Sequence, residues 1–166
     1  MTDFILVDAQ RCIACRTCEV ACAQAHLPQG GVNTTTFFPR LNVYKLSQSS
    51  APAICHQCEN APCVGACPTG ALTLDKHLVQ ADSSRCIGCK NCIVACPFGC
   101  ISIEPSVNSG SAEIIKCDLC AARESGPACV EVCPTFALRL LQAGELNALK
   151  DKRAKETGHK AFLLHP

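Results

Sequence analysis

At 166 residues the chain has room for one or two small domains. Its 17 cysteines, six Phe, single Tyr and no Trp leave a lean apolar core, and a formal net charge of +1 offers no basic face for nucleic acid. No apolar stretch approaches the roughly 20 residues of a membrane span. The opening Met1-Thr2-Asp3-Phe4 lacks the basic start of a secretory signal, so the expectation is a soluble protein of the reducing cytoplasm.

In chain order, residues 3–9 read as a short buried strand feeding a first quartet, Cys12, Cys15, Cys18 and Cys22, spaced C-x2-C-x2-C-x3-C. Ala23 follows where a proline would break the chain, so a helix begun near Cys18 can run to His26 and stop before Pro28. Residues 29–36 are a polar loop, Leu41 to Leu46 alternates as a strand, and Ser47 to Pro52 reads as another loop. The second quartet is Cys55, Cys58, Cys63 and Cys67, spaced C-x2-C-x4-C-x3-C and followed by Pro68. Ala71 to Leu74, Asp75 to His77 and Leu78 to Ala81 then read strand, turn, strand. The third quartet, Cys86, Cys89, Cys92 and Cys96, is compact again and ends in Pro97, with a strand at Ile101 to Ile103.

Pro105 to Ala112 is a turn-rich connector. The fourth quartet, Cys117, Cys120, Cys129 and Cys133, is spaced C-x2-C-x8-C-x3-C, widened by the turn at Glu124 to Pro127, and followed by Pro134. Thr135 to Leu141 resembles the segment after the second quartet, with Cys133-Pro-Thr-Phe-Ala-Leu matching Cys67-Pro-Thr-Gly-Ala-Leu. From Gly144 the composition turns charged and helix-forming, with Leu146 and Leu149 three apart and Gly158 as the expected stop. The tail from Lys160 to Pro166 ends apolar.

A tight loop carrying three cysteines suits three corners of one iron–sulfur cube. The fourth cysteine, a helical turn later and followed by proline, points to a second cube, the arrangement of bacterial two-[4Fe–4S] ferredoxins. Sixteen cysteines in four such runs imply four [4Fe–4S] clusters. Zinc is the rival, since C-x2-C knuckles also build four-thiolate sites, but zinc sites commonly use two separated pairs. A disulfide scaffold is opposed by the odd cysteine count and the clustering. Each oxidised cube with four thiolates adds about −2, so the loaded protein would carry about −7. With inorganic cross-links replacing apolar burial, the metal-free chain is expected to be largely unfolded.

The quartets repeat as compact, widened, compact, widened. If the second and third form one ferredoxin unit, the first and fourth remain to form another around it. The expected fold is α+β: two bacterial two-[4Fe–4S] ferredoxin-like units, one nested inside the other, with a C-terminal helical tail. Residues 1–50 and 105–143 would be the outer unit, 51–104 the inserted unit, and 144–166 a helix and tail serving docking or self-assembly. Cys100 reads as a small buried hydrophobe. His26, His56, His77, His159 and His165 are scattered, and His56, inside a cysteine loop, reads as solvated. No Gly-rich phosphate or dinucleotide loop occurs, no quartet lacks a thiolate, and no catalytic residue is identified.

The runs Arg11-Cys-Ile-Ala-Cys, Cys55-His-Gln-Cys, Cys86-Ile-Gly-Cys and Lys116-Cys-Asp-Leu-Cys with Gly126-Pro-Ala-Cys resemble the four-cluster electron-transfer subunits of molybdopterin oxidoreductases. The short type associated with formate dehydrogenase and formate hydrogenlyase is nearest. The resemblance spans residues 3–141 and implies nested ligation. Cys12, Cys15, Cys18 and Cys133 would hold the first cluster, and Cys117, Cys120, Cys129 and Cys22 the second. Cys55, Cys58, Cys63 and Cys96 would hold the third, and Cys86, Cys89, Cys92 and Cys67 the fourth. It also implies a relay, without an active site of its own, between a molybdenum- or tungsten-pterin subunit (a formate dehydrogenase) and a hydrogenase or second iron–sulfur subunit. A freely diffusing polyferredoxin and a maturation factor are the competing readings.

Overall fold

The computed structural model describes residues 2–27, 35–75, 78–106, 111–142 and 144–163, with side chains in the last helix described as far as residue 157. Most of the expected polar loop at 29–36, the turn residues Lys76 and His77, and residues 164–166 with His165 lie outside these, as does the side chain of His159.

Four two-stranded antiparallel ribbons and five helices alternate along the chain among the described residues. Strand β1 (Phe4–Val7) pairs with the distant β8 (Leu138–Leu141), Phe4 opposite Leu141 and Val7 opposite Leu138. This places the first quartet beside the fourth. Helix α1 (Thr17–Ala25), which carries Cys18 and Cys22, packs on α4 (Ala128–Glu131), which carries Cys129. The second and third quartets are joined more locally. Their short helices α2 (Pro62–Gly65) and α3 (Asn91–Ala95) pack together, linked by the hairpin of β4 (Leu72–Asp75) and β5 (Leu78–Ala81).

The remaining two ribbons join these halves. Strand β2 (Leu41–Lys45) follows the first quartet and pairs with β3 (Ser50–Ile54), which leads into the second. Strand β6 (Ser102–Pro105) follows the third quartet and pairs with β7 (Ala112–Ile115), which leads into the fourth. Ser47 to Pro52, read from sequence as a loop, is therefore corrected: the chain reverses where the Leu46 N–H donates to the Ser49 carbonyl, and Ser50 already pairs with Lys45. Pro52 is tolerated because the ribbon has only two strands. Its partner Val43 turns its own N–H away from it, to Glu19 Oε1 at 2.5 Å.

The core is lean, and sulfur fills it. One cluster of buried side chains joins Ile5, Leu41, Val43, Ile54 and Leu138 to Cys18, Cys22, Cys55, Cys117 and Cys129. A second joins Leu72, Val79, Ile101 and Ile114 to Cys63 and Cys92. Alternation in β2, with Leu41 and Val43 buried and Asn42 and Tyr44 exposed, seats one face of that ribbon on the first core. The last helix, α5 (Glu145–Leu163), runs through Gly158, the expected stop. A glycine inside a helix costs only about 1 kcal/mol, which its helix-forming neighbours outweigh. From Glu145 to Thr157 the helix is exposed except for half-buried Leu149.

Candidate metal centres

Every quartet opens with the same backbone device. The second residue after the first cysteine is left-handed in all four: Ala14 (φ 55°), Gln57 (49°), Gly88 (70°) and Leu119 (56°). Only one of these is glycine, so the other three hold a conformation that costs an L-residue about 1–2 kcal/mol. The strain turns backbone N–H groups inward. Gln57 N–H donates to Cys55 Sγ (3.5 Å), Gly88 N–H to Cys86 Sγ (3.4 Å) and Leu119 N–H to Cys117 Sγ (3.5 Å). Such donors steady negative charge on sulfur. Cys67 and Cys133, two of the cysteines followed by proline, gain another set: Thr69 and Thr135 hydroxyls lie 3.7 and 3.8 Å from Cys67 and Cys133 Sγ, and Ala137 N–H reaches Cys133 Sγ at 3.3 Å.

Two cavities each bring three cysteines of one quartet together with one of another. Cys12, Cys15, Cys18 and Cys133 line one pocket of about 330 Å³. Cys86, Cys89, Cys92 and Cys67 line another of about 280 Å³. Burial raises the pKa of both Cys58 and Cys63, and the neighbouring charges of Cys55 and Cys96 raise both further. Burial likewise pushes the Cys129 thiol up, helped by Cys117, Cys22 and Cys120. Cys117 is pushed up to about 12, first by burial, with Cys55 and Cys22 adding to it.

Buried thiols that oppose one another's ionisation make a poor anion site and a good cation site, because a bound metal deprotonates them and supplies the missing charge. The donor chemistry therefore fits thiolate-ligated iron–sulfur clusters. Cys100 stands apart. It is half-buried, its thiol donates to the Phe98 carbonyl (3.2 Å), and burial pushes it up to about 12, the behaviour of a neutral space-filling thiol. His56 stacks on Phe98 with ring centroids 4.0 Å apart.

Several side chains that hold these groups escaped the sequence reading. His26 donates from Nδ1 to the Cys22 carbonyl (2.7 Å) and from Nε2 to Asp118 (3.0 Å), and Arg40 pairs with the other Asp118 oxygen at 2.7 Å. Burial opposes charge on His26, but the Asp118 carboxylate outweighs it and holds the imidazolium up to about 12. For Asp118, burial is likewise outweighed, by the His26 hydrogen bond and the Arg40 charge, which hold the carboxyl well below its usual range. Ligand atoms of His26, Asp118 and Cys120 lie within 4.8 Å of one another. With both ring nitrogens already donating and Asp118 bound to Arg40, that trio is a brace between the first and fourth quartets, not a separate metal site. Glu19, buried beneath β2, pairs with Arg16 (3.6 Å) besides Val43 N–H.

Gln57, fully buried, donates from Nε2 to the Cys117 carbonyl (2.7 Å) and accepts from Val79 N–H (2.9 Å) at Oε1. None of these residues belongs to a periodic pattern. The one signal in sequence was position, since Gln57, Lys116 and Asp118 each adjoin or separate cysteines of a quartet.

The family described as "4Fe-4S dicluster domain" matches residues 47–143. The chain is 43% identical over 171 residues to the electron transport protein HydN of Escherichia coli K12, covering 95% of this chain and 98% of that one. It is 37% identical over 192 residues to formate hydrogenlyase subunit 2 of the same strain, covering 98% and 93%. UacF of that strain, which bears an oxidoreductase name, is 45% identical over 159 residues, covering 95% of this chain but only 24% of its own length.

Proposed function

Because the chain belongs to the family of 4Fe–4S dicluster electron-transport proteins, we propose that it is a four-cluster relay serving a molybdenum- or tungsten-pterin enzyme. When bound, the clusters supply one-electron oxidation and reduction with little ligand movement. The chain's own part is to hold four sulfur sets in order. Cys12, Cys15, Cys18 and Cys133 hold the first; Cys117, Cys120, Cys129 and Cys22 the second. Cys55, Cys58, Cys63 and Cys96 hold the third; Cys86, Cys89, Cys92 and Cys67 the fourth. On this reading residues 1–50 and 105–143 form an outer unit around an inserted unit at 51–104. Ribbons β2·β3 and β6·β7, each taking one strand from either unit, stitch the two together.

The observation that carries the relay is the junction between units. Cys55 of the third set lies in the same buried core as Cys22, Cys117 and Cys129 of the second. Two separate ferredoxin pairs thereby become one continuous path from the first set to the fourth.

The partner is a pterin-containing formate dehydrogenase, with a hydrogenase or second iron–sulfur subunit at the far end. Two relatives support this: one is a formate hydrogenlyase subunit, and in UacF a sequence like this one makes up about a quarter of a longer chain. Helix α5, in the segment 144–166 and exposed over most of its length as far as Thr157, serves docking or self-assembly. Among the described residues no helix is long and apolar enough to cross a membrane, and we place the relay in the cytoplasm. Anaerobic purification from the native host tests the proposal. Expected are about sixteen irons per chain, four for each cube, and co-purification of a large pterin subunit. Iron without any such partner would instead favour a diffusing carrier, and about four zinc ions in place of iron would remove the clusters altogether.

A further inference from the structure

Lys116 is 2% exposed, yet among the described residues no carboxylate pairs with it. Its Nζ donates to Gln57 Oε1 (3.4 Å) and to the Cys117 carbonyl (2.5 Å), both neutral acceptors. Glu113 and Asp118 line the groove beside it, but Asp118 is already held by Arg40 and His26. Burying an ammonium costs several kcal/mol unless an opposite charge answers it. Its charge also favours the thiolates of Cys58 and Cys63 in the third set and of Cys117 in the second. The amine therefore sits at the seam where Cys55 meets Cys117.

We propose that Lys116 is the counter-charge of the two middle clusters and raises their reduction potentials above those of a neutral junction. The inference rests on the ligand sets proposed above. An oxidised cube with four thiolates carries about −2 and gains one more negative charge on reduction. A fixed positive charge in a low-dielectric interior stabilises the reduced form more than the oxidised one. One electron arrives from the neighbouring redox subunit, and no bond forms or breaks at Lys116. Electrons would then settle at the centre of the path, drawn inward from either end.

Redox titration of the whole chain with dithionite, followed by electron paramagnetic resonance, tests this on wild type, Lys116→Met and Lys116→Arg. Lys116→Met should make reduction at least tenfold less favourable at one or two of the four clusters, about 59 mV for one electron. The others should be unmoved, and Lys116→Arg should stay close to wild type. Where the Met variant loads poorly, Lys116→Gln, a neutral side chain that keeps an N–H donor, carries the same expectation. Unchanged potentials in a fully loaded neutral variant would overturn the inference and leave the ligand sets standing, as would equal shifts in Met and Arg. Fewer than four signals in the wild type would overturn the ligand sets and the inference with them.

Discussion

The inner and outer pairs of quartets bring sulfurs together by different means. The second and third quartets are neighbours in sequence, and one hairpin, β4·β5, is enough to fold α2 against α3. The first and fourth lie at opposite ends of the metal-binding region, and closing them requires β1·β8 together with the His26–Asp118–Arg40 brace. A long closure costs only modestly more entropy than a short one. What it lacks is local chain to fix the geometry, and charged side chains supply that. The lesson is that the same spacing motif can be assembled locally or at long range, and that polar braces appear where sequence proximity ends.

The largest expected effect is at the junction of the two pairs. Gln57→Leu would leave the Val79 N–H buried without its partner, take one of its two acceptors from Lys116 and break the link to the Cys117 carbonyl, at a cost of about 3 kcal/mol. The guanidinium midpoint for loss of visible absorbance should fall for inner and outer clusters together. A fall confined to half the absorbance would deny that Gln57 links them.

Asp118→Ala sharpens the contrast next. It frees His26 and Arg40, and because the carboxylate is about one-third exposed the cost should be about 2 kcal/mol, below that of a fully buried pair. Iron should leave the outer pair first, giving a biphasic release curve. Single-phase release would mean the brace is incidental.

Cys100→Ser should keep every cluster and cost about 1 kcal/mol, since the thiol only donates to the Phe98 carbonyl. Loss of one resonance signal would make it a ligand. Smallest of all, truncation after Ala143 should shift stability by less than about 0.5 kcal/mol, because α5 is exposed over most of its described length. Iron content should hold while association with a partner or with other copies weakens. Lost iron with unchanged assembly would make the segment structural.

The quartets were legible because ligand spacing is local: each C-x2-C loop and its following cysteines lie within 18 residues of sequence or fewer. Strands such as Leu41–Lys45 were also legible, since alternation is local too. Which strand pairs with which was not, because four-residue ribbons such as β6 and β7 carry too little pattern to name a partner. Ser50–Pro52 was hidden by its polar and proline residues, which a two-stranded ribbon tolerates. His26 and Asp118 lie 92 positions apart, and Gln57 and Cys117 60 apart. Single polar residues have no periodicity, so their roles emerge only once the chain has closed.

The central claim is that each cluster takes three cysteines from one quartet and its fourth from another. Electron paramagnetic resonance of reduced Cys12→Ser, Cys133→Ser, Cys129→Ser and Cys22→Ser variants tests it most directly. Cys12→Ser and Cys133→Ser should alter the same signal, while Cys129→Ser and Cys22→Ser should alter a different one. If Cys133→Ser instead alters the signal that Cys129→Ser alters, each quartet serves its own cluster and the account is contradicted.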